Sequence, residues 1–127
     1  MTAFRKIVAL ALALVTAGWA LAADAASYVY RYSDNRKILV VDGDYAKRYS
    51  DYRKLYYIDG KYIKRYSDYR KIAYVDGNYV KRYSDNRKIA IIDGKYVKRY
   101  SDYRKIATTS GGTMAGAAAA VYLLMGN

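Results

Sequence analysis

Cationic and aromatic side chains recur at a fixed spacing through most of this chain. The sequence has 127 residues, with 23 Lys and Arg against 11 acidic residues, and its net charge is +12. It contains 18 Tyr, one Trp and one Phe. Arg and Lys bind phosphate and carboxylate groups, and Tyr rings stack on bases or sugars. The side chains with chemistry to offer are therefore suited to binding an anion.

Catalysis and metal binding are not expected from the same composition. The chain has no His, the commonest general base, and no Cys, which excludes a thiol nucleophile and a thiolate metal site. The remaining Asp, Lys, Tyr and Ser recur in equivalent settings, whereas an active site needs distinct environments that separate pKa values. The repeated Ser-Asp is typical of turns, and no calcium-binding loop pattern is present. We therefore predict a non-catalytic protein with no catalytic residue, no metal site and no cofactor.

A repeat of 17 residues positions these groups. The sequence Arg-Tyr-Ser-Asp begins at positions 31, 48, 65, 82 and 99, and Asp-Gly lies between copies at 42–43, 59–60, 76–77 and 93–94. Asp-Gly between β-forming residues is a strong hairpin signal. Near-identical short copies indicate an array in which each unit buries its surface against its neighbours.

The odd length of the repeat constrains the loops. Equivalent residues keep the same face only if a two-residue Asp-Gly turn alternates with an odd loop, so we predict a three-residue loop of Ser, Asp and Asn or Tyr. Its last position suits a left-handed residue such as Asn35 or Asn86. The prediction is an all-β, antiparallel meander of about ten short strands that curls on itself, docks its tail or associates with copies. A β-solenoid with one repeat per rung is the alternative.

The alternation of side chains along the predicted strands defines two faces. One face carries Tyr rows and a row in which Arg alternates with Tyr, so that guanidinium groups can stack on rings. The other carries an aliphatic row that includes Leu39, Ala46, Tyr56, Ile63, Ala73, Val80, Ala90 and Val97. Beside it we predict one cationic row as the polyanion-binding set, formed by Lys37, Arg48, Lys54, Arg65, Lys71, Arg82, Lys88, Arg99 and Lys105. The candidate stacking residues are Tyr49, Tyr62, Tyr66, Tyr79, Tyr83, Tyr96 and Tyr100.

The two ends of the chain differ from the repeats. Residues 1–25 have a short basic start at Arg5 and Lys6, then an apolar stretch and small residues, which predicts a cleaved secretory signal peptide. Residues 26–107 form the predicted repeat domain, and 108–127 a Gly/Ser/Thr linker followed by an Ala-rich apolar segment. This segment is too short to span a bilayer. It predicts a short helix or strand over one face of the sheet, a subunit-contact plug or a segment at a membrane interface.

These observations predict an exported protein, periplasmic or extracellular, with no integral membrane span after cleavage of the signal. Its expected partner is an anionic envelope or matrix polymer such as lipopolysaccharide, an acidic glycan or extracellular DNA. The alternative is a self-assembling structural subunit of a fibre or surface layer, amyloid-like in its stacked identical repeats. A homo-oligomer is compatible with either function.

Overall fold

Ten short strands and one helix follow the repeats along the chain. The computed structural model describes residues 26–126, so the predicted signal peptide at 1–25 lies outside the described residues. The strands are β1 (Ser27–Arg31), β2 (Lys37–Asp42), β3 (Tyr45–Arg48), β4 (Lys54–Asp59), β5 (Tyr62–Arg65), β6 (Lys71–Asp76), β7 (Tyr79–Arg82), β8 (Lys88–Asp93), β9 (Tyr96–Arg99) and β10 (Lys105–Thr109). The helix, α1, spans Gly112–Leu124.

The ten strands form a meander that closes into a barrel. Each strand pairs antiparallel with the next, and β1 pairs with β10. The predicted all-β meander is confirmed, and the alternative of a β-solenoid is wrong. At the closing seam Thr109 pairs with Val29. By position in the repeat these two residues correspond to Ile58 and Ile63, which pair with each other within the β4–β5 hairpin. The fifth repeat therefore meets the first as successive strands of one hairpin meet each other.

The tight turns lie one residue later than the sequence indicated. Asp59 pairs with Tyr62, so the two loop residues are Gly60 and Lys61. Gly60 has a φ of 59°. A positive φ at the first loop position suits a type II′ turn, in which only that position favours Gly. Asp59 therefore ends a strand, and its carboxylate accepts a bond from the Lys64 Nζ at 2.8 Å.

The second type of loop has four residues where three were predicted. The Arg48 N–H donates to the Arg53 carbonyl at 2.9 Å and encloses residues 49–52. The predicted left-handed conformation of the last loop residue is confirmed, with φ between 58° and 62° at Asn35, Tyr52, Tyr69, Asn86 and Tyr103. A four-residue loop alone would break the alternation of faces, so the strand that follows must compensate.

A β-bulge at the start of each long strand provides that compensation. Ile63 pairs with Ala73, but its neighbour Lys64 pairs with Lys71, which leaves Ile72 as the extra residue. A bulge of this kind lets two successive residues share one face: Ala73 lies in the barrel's core, and the partly buried Ile72 packs against that core. Lys71 is thereby moved to the outer wall, where its Nζ lies 4.1 Å from the centroid of the Tyr62 ring.

The barrel interior contains the predicted aliphatic row and α1. All eight residues of the row have 0% exposed surface, so the prediction of that apolar face is confirmed. Barrel diameter grows with strand number, and eight strands leave an interior that side chains alone fill. Ten strands leave more space, and the four consecutive alanines Ala117–Ala120 bring the helix backbone into it without exposed surface. The C-terminal segment is a helix that covers one face of the sheet, as predicted, and that face is the inner face of the closed barrel.

Side-chain size in the row follows the position of the helix. α1 contacts β1, β6, β8, β9 and β10, and the row residues of the three long strands among these are Ala73, Ala90 and Ala107. At the equivalent positions of β2 and β4 the row has the larger Leu39 and Tyr56. Large side chains therefore fill the half of the interior that the helix leaves open. Among the described residues, no helix is both long and apolar enough to cross a bilayer.

Candidate anion-binding site at the arginine end

The four-residue loops gather at one end of the barrel, which we call the arginine end. Each loop is flanked by two arginines, one that ends the short strand and one that follows the loop. The inner set is Arg31, Arg48, Arg65, Arg82 and Arg99, and the outer set is Arg36, Arg53, Arg70, Arg87 and Arg104. The opposite end, with the glycine turns, we call the turn end.

Each inner arginine pairs with the aspartate of its own loop. The distances are 2.9 Å for Arg31–Asp34 and Arg65–Asp68, 3.1 Å for Arg48–Asp51 and Arg99–Asp102, and 3.6 Å for Arg82–Asp85. The side-chain hydrogen bond from Arg48 lowers the pKa of the Asp51 carboxyl, and the same bond raises the pKa of Arg48. The Asp51 carboxylate also accepts the Arg53 backbone N–H at 3.2 Å. These aspartates thus hold the loops in shape while they neutralise the inner arginines.

The outer arginines have no such neutralising partner. All five are exposed, and in residues 26–126 none of them forms an ion pair. One guanidinium group per repeat is thus left unbalanced at this end. A planar guanidinium has donors that match the oxygens of a phosphate or carboxylate in pairs.

Clefts form between adjacent repeats at the arginine end. One is lined by Arg65, Arg70, Arg82, Lys71, Ile72, Tyr83, Ser84 and Met125. In three further clefts the repeats contribute the same types of residue, namely two or three Arg and one each of Lys, Tyr, Ser and Ile. Their volumes range from about 440 to about 660 Å³. A cleft of this kind offers several cationic donors, a hydroxyl group and an aromatic ring to one anionic group.

The tip of α1 supplies an apolar wall to these clefts. Tyr122, Leu124 and Met125 each line a different cleft, and Leu123 joins Leu124 in a fourth. All four are partly buried. The helix thus ends at the centre of the arginine end, with apolar side chains inside a ring of cations.

Five lysine–tyrosine clusters surround the barrel wall next to this end. In each, a Lys Nζ lies 4.0–4.2 Å from one Tyr ring centroid and 5.6–5.7 Å from a second. The two rings meet edge to face, with centroids 5.8–6.4 Å apart. The clusters are Lys37 with Tyr28 and Tyr49, Lys54 with Tyr45 and Tyr66, Lys71 with Tyr62 and Tyr83, Lys88 with Tyr79 and Tyr100, and Lys105 with Tyr96 and Tyr32. The last cluster spans the closing seam, so the fivefold pattern is complete.

The prediction of a single cationic row is wrong. The β-bulge moves its lysines, Lys37, Lys54, Lys71, Lys88 and Lys105, to the outer wall, whereas Arg48, Arg65, Arg82 and Arg99 stay in the inner register at the arginine end. The clefts bring members of both groups together again, as with Arg65, Lys71 and Arg82. The cation–π contacts among the described residues come from lysines, not from the predicted stacking of Arg.

The predicted aromatic residues fall into two tiers, and one group of site residues was missed. Tyr49, Tyr83 and Tyr100 line clefts, and Tyr66 holds the equivalent position, while Tyr62, Tyr79 and Tyr96 lie on the wall beneath lysines. The missed residues are the outer arginines. The sequence does contain a signal for them, since an Arg follows each loop Asp by two residues. At this spacing the chain has turned, and the outer Arg lies beside the inner one.

Charge is distributed unevenly along the barrel. At the turn end, Asp59, Asp76 and Asp93 accept bonds of 2.8 Å from wall lysines, and Asp42 does so at 3.4 Å. Bonding to Lys64 lowers the pKa of Asp59 and raises that of the lysine. The excess positive charge therefore lies on the wall and at the arginine end. No protein-family model, curated protein or solved structure matches this chain.

Proposed function

We propose that this protein binds an anionic polymer at the arginine end of its barrel. The observation that carries the proposal is the repetition of one cationic cleft between adjacent repeats, with unneutralised outer arginines beside inner ones. Arg pairs with phosphate, sulfate or carboxylate oxygens through two parallel bonds. Each cleft receives one such group, and the Tyr ring at its edge stacks on a sugar or base of the same polymer.

Repetition of the cleft favours a polymer over a single small anion. After one group of a polymer is bound, the next is held at high effective concentration near the neighbouring cleft. Weak individual contacts thereby add to a useful affinity. The expected partners are lipopolysaccharide, an acidic glycan or extracellular DNA, met in the periplasm or outside the cell after removal of residues 1–25. The protein acts as a non-catalytic binding module in this proposal.

The alternative of a self-assembling structural subunit has less support. Fibres of amyloid type grow by addition of strands to an open sheet edge. Within residues 26–126 the sheet closes on itself and presents no unpaired edge strand. Assembly of such barrels would have to use their walls or ends.

A matched pair of charge variants tests the proposal. Arg70→Gln/Arg87→Gln removes two outer arginines, and Lys61→Gln/Lys95→Gln removes the same charge from the turn end. We expect the arginine variant to bind a sulfated polysaccharide roughly tenfold more weakly, since two exposed charge contacts contribute about 0.5–1 kcal/mol each. The lysine variant should bind nearly as the parent does. Affinity is measured by calorimetry over a range of salt, and an equal loss in both variants would contradict a site at the arginine end.

A further inference from the structure

We infer that the anionic partner is presented as a lipid surface, on which the arginine end docks face-on. This inference rests on the proposed function, because it takes the clefts to bind anionic groups. The partner to which it commits is a bilayer face that carries phosphorylated headgroups.

The shape of the arginine end favours a lipid surface. Barrel closure places the inter-repeat clefts in a ring, and α1 ends inside that ring with Leu123, Leu124 and Met125 partly exposed. A soluble polyanion that follows the ring would leave these apolar groups in water. A lipid surface offers anions to the ring and the boundary of the hydrocarbon region to its centre.

The ring of tyrosines at the same end also favours a lipid surface. Tyr32, Tyr49, Tyr66 and Tyr83 are between 36% and 48% exposed. Tyr has an apolar ring and a polar hydroxyl group, and it is enriched where a protein meets the headgroup region of a membrane. Cations, tyrosines and an apolar tip thus share one end of the molecule.

The distribution of charge between the two ends orients the barrel on such a surface. The turn end carries Asp42, Asp44, Asp59, Asp76 and Asp93 against two turn lysines, Lys61 and Lys95. Four of these aspartates are paired with wall lysines, which leaves little unbalanced charge at the turn end. An anionic surface therefore attracts the arginine end more strongly than the turn end, which aligns the barrel axis with the membrane normal. The buried residues Ala117–Val121 hold α1 within the barrel, and the tip that follows them already lies at the arginine end. The tip can therefore contact the lipid without any unfolding of the barrel.

Vesicle binding tests the inference on residues 26–127, within which the barrel closes and which lack the apolar stretch of residues 1–25. The probes are phosphatidylcholine vesicles with and without phosphatidylglycerol, and a soluble sulfated polysaccharide. We expect sedimentation with the anionic vesicles only. The variant Leu124→Ser/Met125→Ser keeps every charge and should lose roughly tenfold in vesicle affinity, a larger loss than in its polysaccharide affinity, because these side chains line the clefts but only the lipid offers them an apolar surface. Equal losses for the two probes would overturn the lipid surface. If circular dichroism shows the double variant to be unfolded, Met125→Ser alone serves as the test.

The outcomes separate the inference from the proposed function. Polysaccharide binding without vesicle binding overturns the lipid surface and leaves the anion-binding clefts in place. Binding to neither probe overturns both. Vesicle affinity that is unchanged in the tip variant, or equally reduced by Lys61→Gln/Lys95→Gln and Arg70→Gln/Arg87→Gln, also overturns face-on docking.

Discussion

At the scale of single residues, three tyrosines in the left-handed conformation combine backbone strain with side-chain contacts. Tyr52, Tyr69 and Tyr103 have positive φ at the position that Asn35 and Asn86 hold in other repeats. A residue with a bulky side chain loses about 1–2 kcal/mol in this conformation, whereas Asn tolerates it. Tyr69 regains part of that energy by stacking on Tyr57, with centroids 5.3 Å apart and an interplanar angle of 12°.

Tyr103→Asn is therefore expected to stabilise the protein. Among the described residues its one aromatic contact is a tilted one with Tyr100, at 6.2 Å between ring centroids, so little aromatic contact is lost when the strain is relieved. We expect the free energy of unfolding to rise by about 1 kcal/mol, as measured by urea denaturation. Tyr69→Asn is the control, with a smaller gain because it loses the stacked ring. A loss of stability in Tyr103→Asn would show that the exposed ring has a structural contact role.

The aspartates beside the turns predict a loss of stability in acid. Bonds from Lys64, Lys81 and Lys98 lower the pKa of Asp59, Asp76 and Asp93 respectively. A carboxyl whose pKa is lower in the folded state stabilises the fold above its ordinary pKa, about 3.9, and this stabilisation is lost as pH falls through the folded value.

The triple variant Asp59→Asn/Asp76→Asn/Asp93→Asn should accordingly lose less stability than the parent between about pH 5 and pH 2. The melting temperature across that range is the measurement, and Asp44→Asn is the control, since Asp44 forms no ion pair in the described part of the chain. Parallel curves for the parent and the triple variant would contradict the role of these pairs.

At the scale of strands, alternation predicted the core but not the wall. Parity alone assigned Leu39, Ile63 and Val97 to one apolar face, and all three are fully buried. Strict alternation placed Lys71 on the wrong face. The bulge turns both Ile72 and Ala73 inward, and the residue before them, Lys71, therefore points to the outer wall. Its sequence signal is the pair Ile72-Ala73, two adjacent apolar residues where strict alternation allows one. Bulges are set by loop length, and the four-residue loop was not apparent from composition.

The helix inside the barrel also had a signal that parity does not capture. The apolar segment was recognised as too short for a membrane, but the row position that is Leu39 and Tyr56 in two repeats is Ala73 and Ala90 in others. Such variation inside an otherwise uniform repeat indicates that something occupies part of the interior. The sequence alone did not identify the C-terminal helix as the group that occupies this space, because no sequence pattern indicates that a tail lies inside a closed sheet.

Ala118→Leu tests that packing directly. Ala118 is fully buried, and the three additional carbons of a leucine side chain have no room in a close-packed interior. We expect a loss of at least about 1–3 kcal/mol in the free energy of unfolding, measured by urea denaturation. Leu123→Ala, at the partly exposed tip, should have a smaller effect. Equal stability of Ala118→Leu and the parent would contradict an interior filled by the helix.

At the scale of the whole molecule, five copies of one unit produce a ring because the last copy meets the first in hairpin register. Closure gathers the loop arginines at one end, which no single repeat could do. We propose that these arginines, and not the wall or the turns, receive an anionic ligand.

The most direct measurement is a nuclear magnetic resonance titration of residues 26–127 with a short sulfated oligosaccharide. We predict that the largest shifts occur at the backbone amides of Ser33, Ser50, Ser67, Ser84 and Ser101 and at the Nε groups of the arginines. Amides of the glycine turns should stay unchanged. Shifts centred on the turns or on Lys47, Lys64, Lys81 and Lys98, or no shifts at all, would contradict the account.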